Sequence, residues 1–91
     1  MTGFAISFTA RVLRKMDALP RYIVIRPEYV PGRQSGFPAM VRLNGSALFG
    51  RNIRPWGKGS EVFFLNLTAP QCKAAGVDTG DPCLVEIQPL D

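Results

Sequence analysis

Gly80-Asp81-Pro82-Cys83-Leu84-Val85-Glu86-Ile87 decides the reading of this chain, because the first half holds a close copy, Gly36-Phe37-Pro38-Ala39-Met40-Val41-Arg42-Leu43. Gly, Pro and Val coincide. Ala stands for Cys, Met for Leu and Leu for Ile, each similar in size and polarity. Both copies read as a turn that runs into a strand. Side chains alternate along a strand. The pattern therefore predicts Ala39, Val41 and Leu43 facing inward like Cys83, Val85 and Ile87, with Arg42 and Glu86 facing out.

Working backward from each octet extends the match. Tyr22–Arg26 is apolar and β-branched, and is followed by a Pro-bounded turn, Pro27–Gly32, before the first octet. Glu61–Leu67 is a second such run, apolar on both faces near its middle. Thr68 is a good N-cap, Pro70 suits a first helical turn and Gly76 a helix end, so Ala69–Ala75 reads as a short helix before the second octet. Two copies of strand, short helix, turn and strand imply an internal pseudo-two-fold. Repeats this short bury their apolar faces by interlocking into one barrel.

The remaining stretches fit around that pair. Phe4, Ile6, Phe8, Ala10 and Val12 alternate with polar or small residues, a period of two, and the pattern breaks at Leu13-Arg14-Lys15. Asn44-Gly45 is a strong hairpin signal, since both turn positions need positive φ. The returning strand is expected over Ser46–Arg54, with Ala47, Phe49 and Ile53 on one face and a bulge at Gly50. The fold class expected is mainly β: a small double-split β-barrel of about six strands, capped by one or two short helices.

At 91 residues the chain has room for one domain, residues 1–91, around one core. No apolar run is long enough to cross a bilayer, and the start lacks the pattern of a signal peptide, so a cytoplasmic protein without membrane association is expected. Two cysteines do not make a disulfide scaffold. Cys83 reads as a small buried hydrophobe; a Cys72–Cys83 bridge is the alternative, opposed by a reducing compartment. The absence of histidine removes the commonest general base and metal ligand. The net charge of +4 is unevenly spread. Residues 1–58 hold ten basic against two acidic residues, hence +8, and residues 59–91 one against five, hence −4. A basic half suits a polyanion, unless the halves interleave and the charges mix.

Strand, short helix, then Gly-Val-Asp-Thr-Gly-Asp and a strand resembles the swapped-hairpin unit of the AbrB and MazE transcription factors. The chain from Phe8 to Leu90 resembles, more closely, an uncharacterised family of bacterial and archaeal proteins. The resemblance rests on Phe8-Thr9-Ala10, Val41–Gly45, Pro55-x-Gly57-x-Gly59, and Lys73-Ala74-Ala75-Gly76 followed by Gly80-Asp81. It implies an AbrB-like double-split barrel, in some members preceding a bacteriocin-protection domain of the YdeI/OmdA type. It carries over no functional residues. The first copy departs from the family, which has a clearer helix where this chain has Pro27–Gly32.

Arg51-Asn52-Ile53-Arg54-Pro55-Trp56-Gly57-Lys58-Gly59 is the most functional-looking stretch. Arg51, Arg54, Trp56 and Lys58 form a candidate polyanion site, because cations with an aromatic ring suit phosphates and stacked bases. The competing reading is a loop Trp packed over a barrel end among solvated charges. The glycines do not make a P-loop, since the Gly-Lys-Ser/Thr order is absent. Asp81 and Asp78 read as turn residues. No carboxylate pair and no nucleophile–base pair is visible. The sequence therefore points to a non-enzymatic binding or accessory module without cofactor or metal, a monomer or weak dimer. Its partner is another protein or a polyanion, and the alternative is AbrB-like nucleic-acid binding through a basic surface. A clustering of Arg11, Arg14, Arg21, Arg26, Arg51, Arg54 and Lys58 on one face would favour nucleic acid; scatter would oppose it.

Overall fold

The computed structural model describes residues 3–57 and 60–91; Lys58 lies outside them. Six strands form the molecule: β1 (Ile6–Arg11), β2 (Arg21–Ile25), β3 (Phe37–Leu43), β4 (Phe49–Pro55), β5 (Phe63–Leu67) and β6 (Pro82–Pro89). A 3-10 turn, Pro27–Tyr29, follows β2, and a helix, α1 (Ala69–Ala75), follows β5. All pairings are antiparallel, in the order β1-β6-β3-β4-β5-β2. Leu13 pairs with Tyr22 across the remaining gap, so the sheet curls into a nearly closed barrel.

The registers carry the two-fold seen in the octets. β3 and β6 lie side by side with Arg42 opposite Glu86, and these two residues hold the same place in their octets. In the first half Phe8 stands opposite Val85, Ala10 opposite Cys83 and Arg11 opposite Pro82. In the second half Phe49 stands opposite Val41, Arg51 opposite Ala39 and Asn52 opposite Pro38. So Phe8 matches Phe49, Ala10 matches Arg51 and Arg11 matches Asn52. The Leu13–Tyr22 bridge likewise matches the Arg54–Phe64 pairing. One residue further, Ile23 matches Leu65, and these two also lie opposite each other. The pseudo-axis thus passes through the Ile23–Leu65 and Arg42–Glu86 pairs, on opposite walls of the barrel.

Alternation fills the interior as the octets require. Ala39, Val41, Leu43, Cys83, Val85 and Ile87 are buried, and Arg42 and Glu86 face out, joined Nε to Oε1 at 2.9 Å. Ile23, Ile25, Leu65 and Leu67 fill the other wall. Each such side chain contributes about 1.5–3 kcal/mol on leaving water. No charged or polar residue is fully buried among those described. α1 covers one end, with Cys72 and Ala75 turned inward. Thr68 and Gln71 close a capping box at its start, and Gly76, at φ 72°, ends it. Both cysteines are free and buried, so the bridge between them is not made.

The two octet glycines serve different needs. Gly80 has φ 91°, a region that side chains resist. A Cβ on Gly36 would instead meet the Ile53 carbonyl oxygen at 2.8 Å, so β4 itself demands the bare backbone there.

Three expectations change in detail. Asn44 and Gly45 do have positive φ, 49° and 72°, and Ser46 N–H donates to Leu43 O. The ladder resumes only at Val41–Phe49, however, so Ser46, Ala47 and Leu48 belong to the connection and β4 begins at Phe49. Gly50 lies in register opposite Met40 and is not a bulge. β1 starts at Ile6, which leaves Phe4 outside the strand.

Candidate ligand-binding site

The barrel is split in two places that the pseudo-axis exchanges. β4 and β5 pair only at Arg54–Phe64 and Pro55–Phe63, then diverge. β1 and β2 touch through the single Leu13–Tyr22 bridge. The residues of functional interest gather on the β4/β5 side.

On β2 and β5 the positions between core residues face outward. Tyr22 lies opposite Asn66, and Val24 opposite Phe64. Trp56, just past β4, is held by its N–H donating to Val62 O at 2.8 Å. Its ring meets Tyr22 at 5.3 Å and Phe64 edge-on, also at 5.3 Å. Lys15 Nζ stands 4.8 Å from the centre of the Trp56 ring, a cation–π contact. Trp56 nevertheless remains 43% exposed. Lys15, Leu19, Pro20, Tyr22, Trp56, Phe64 and Asn66 enclose a cleft of about 290 Å³. Trp56 is therefore packed on the outer wall, over β5 and β2, as part of an open aromatic surface.

A second cleft of about 560 Å³ follows the β4/β5 split, lined by Arg51, Asn52, Arg54, Asn66 and Phe64 together with Pro38, Ala39, Gly50 and Leu90. Phe64 and Asn66 are shared, so the two clefts adjoin. Arg54 is exposed and pairs with Phe64 in the ladder. Arg51 belongs to the inward set with Ile53. Its Nη2 donates to Gln71 Oε1 at 2.8 Å, and its guanidinium lies 5.4 Å from the Phe49 ring. Arg51 Nε is shut off from solvent and finds no acceptor among the described residues. A buried donor left unpaired is costly, so such groups call for a partner.

The structure thus brings Arg51 and Arg54 to one cleft, from opposite faces of β4, and places Trp56 in the adjoining one. Lys58 lies outside the described residues. Sequence reasoning missed Tyr22, Phe64 and Asn66, and read Lys15 only as part of a basic rim of strand-end cations, with Arg11, Arg14, Arg21 and Arg26, or of a solvated face. The available signal was Phe64: an aromatic between inward Phe63 and Leu65 must lie on the outer face by alternation.

Most of the other cations have partners of their own, and Arg14, Lys15 and Arg21 line one cleft together with Asp17, Asp78 and Asp81. Arg21 pairs with Asp78 at 2.6 Å, Arg33 with Asp91 at 2.6 Å and Arg42 with Glu86. Each of these joins the basic half to the acidic half, so the charges mix. Arg26 lies 3.6 Å from Glu28. Arg11 donates to Gly80 O, and Arg14 to Leu19 O and Asp17 O. The charge of these arginines is thus met by acids or backbone carbonyls rather than left as a continuous basic surface.

The remaining titratable groups have structural surroundings. Asp78 is held below the ordinary carboxylate range by the Thr79 N–H and then by Arg21. Asp91 is lowered by its hydrogen bond to Arg33. Asp81 accepts from Asp78 N–H at 2.8 Å, a turn bond. Burial raises the pKa of both Cys72 and Cys83, which keeps them as thiols. Among the described residues no group of three or more His, Cys, Asp or Glu is placed to hold a metal. Comparison with protein-family profiles, curated proteins and solved structures finds no match to this chain.

Proposed function

We propose that this barrel is a non-enzymatic binding module and that its ligand surface is the outer wall around Trp56. The observation that carries the reading is the exposed Trp56 ring, set against half-buried Tyr22 and Phe64 with Lys15 over the indole. Monomeric domains bury aromatic rings where they can, and an open cluster beside a cleft is the usual mark of recognition. Inert, buried thiols support a binding rather than a chemical role.

Nucleic-acid binding is the second reading, favoured by the cations Lys15 and Arg54 beside the rings. Its duplex form, with a continuous basic surface, is opposed by the pairing of Arg21, Arg33 and Arg42 with acids. Duplex contact needs many phosphate partners at once.

Trp56 is the sole tryptophan, so its emission reports on the cleft directly. Titration with small planar heteroaromatic compounds, nucleosides among them, is expected to quench it saturably. Tyr22→Ala and Phe64→Ala are expected to weaken that quenching without unfolding the barrel. Emission indifferent to every planar compound would remove Trp56 from the ligand surface.

A further inference from the structure

The two halves offer an internal control for what the β4/β5 split is for. Where the first half has Ala10, Leu13 and Val24, the second has Arg51, Arg54 and Asn66. At the first split Tyr29 stacks on Phe8 at 4.6 Å, an apolar seal. At the second, Gln71 takes the place of Tyr29 and binds Arg51, and a cleft of about 560 Å³ lies open. A barrel that needed only closure would have repeated the apolar solution. Placing two guanidinium groups and two amides along one split creates a local positive site instead.

We infer that the β4/β5 split seats a phosphate of a single-stranded polynucleotide whose neighbouring bases stack on the Tyr22–Trp56–Phe64 surface. This rests on the aromatic wall being the ligand surface and adds the ligand's chemistry. Arg51 and Arg54 are both without an acidic partner among the described residues. A guanidinium carries five donors in a planar fork that matches phosphate oxygens. Arg51 gives one bond to Gln71, and its Nε has no acceptor, so an oxyanion in the split supplies what the protein leaves unmet. Asn52 and Asn66 provide neutral donors at the cleft walls. Phe64 and Asn66 belong to both clefts, which puts the phosphate seat beside the ring surface. An arriving base takes the position of the Lys15 ammonium over the indole, and Lys15 moves its charge to a flanking phosphate. Paired bases present no free ring face, which selects single strands.

Anisotropy titrations with labelled oligothymidylate and oligouridylate of about eight nucleotides, a site size within the range of small barrels, test this at several salt concentrations. Both are expected to bind more tightly than a duplex of equal length and than an oligoglutamate of equal charge. Arg54→Gln, an exposed position, is expected to weaken binding and to lower the logarithmic salt slope by about 0.7, one phosphate contact. Arg51→Gln is expected to do the same, its melting temperature being checked in parallel. Trp56→Ala is expected to weaken binding about tenfold and to leave the salt slope unchanged. Loss on Trp56→Ala with neither arginine mattering would overturn the phosphate seat and leave the aromatic surface standing. Loss on both arginine variants with Trp56→Ala silent would overturn the aromatic surface, and with it the inference. Equal binding of oligoglutamate, or no binding of either strand at low salt, would overturn the polynucleotide.

Discussion

At the split between β1 and β2, Tyr29 lies flat on Phe8; at its counterpart between β4 and β5, Gln71 holds Arg51 by a single hydrogen bond. The backbone frame is shared, since registers on both sides relate by the same pseudo-axis. The side chains that fill the frame are not. An aromatic pair seals a gap through area and ring contact, and it contributes about 0.5–1.5 kcal/mol beyond burial. A half-satisfied guanidinium beside an open cleft contributes little to folding. The duplicated frame therefore sets a split closed by aromatic contact beside one that is left open, and the open one is where we propose a ligand sits.

The sharpest way to break that comparison is at the glycines that start the two octets. Gly36→Val would push a side chain into the Ile53 carbonyl and displace β4 at the edge of the open split. A loss of about 3 kcal/mol is expected in chemical denaturation. Gly80→Ala meets no neighbour within 4 Å and carries only the positive φ. It is expected to lose about 1–2 kcal/mol. Equal losses would show that the two turns are equivalent after all.

Next come the two fillings. Tyr29→Ala is expected to destabilise the barrel by about 2 kcal/mol, through lost ring contact and burial against Phe8. Gln71→Ala removes one arm of the capping box and the Arg51 partner, and is expected to lose about 1 kcal/mol. Denaturant midpoints of the two variants, at matched slope, decide the order.

The smallest effect lies in pH. Asp78 and Asp91 have folded-state pKa values below their ordinary ones, so the native state binds protons less readily than the unfolded chain. Their contribution is complete above the ordinary carboxylate range and is lost as pH falls below it. Both carboxylates are exposed, so the effect is a slight steepening of the fall in melting temperature on acidification. Arg33→Ala is expected to make that fall shallower by removing the main cause of the Asp91 shift.

Much of the frame was legible in the chain. Gly-x-Pro followed by alternating residues marked β3 and β6, and Thr68, Pro70 and Gly76 marked α1, because these signals are local. The connection Ser46–Leu48 was misread because its alternation resembles a strand while its pairing depends on β3, which starts the ladder only at Phe49. The candidate site was half legible. Arg51, Arg54 and Trp56 are contiguous and conspicuous. Tyr22 and Lys15 reach Trp56 only because β2 pairs with β5, and Gln71 reaches Arg51 only because α1 folds over the end of β4. Those contacts are set by register, which no short window of sequence carries.

The central claim is that one split is structural and its twin is the ligand site. Backbone amide spectra recorded while single-stranded oligothymidylate is added test it most directly. The account predicts saturable shifts at Arg51, Asn52, Arg54, Phe64 and Asn66, with the matching positions Ala10, Arg11, Leu13 and Val24 unmoved. Shifts centred on those first-half positions, or spread evenly over both splits, would contradict it.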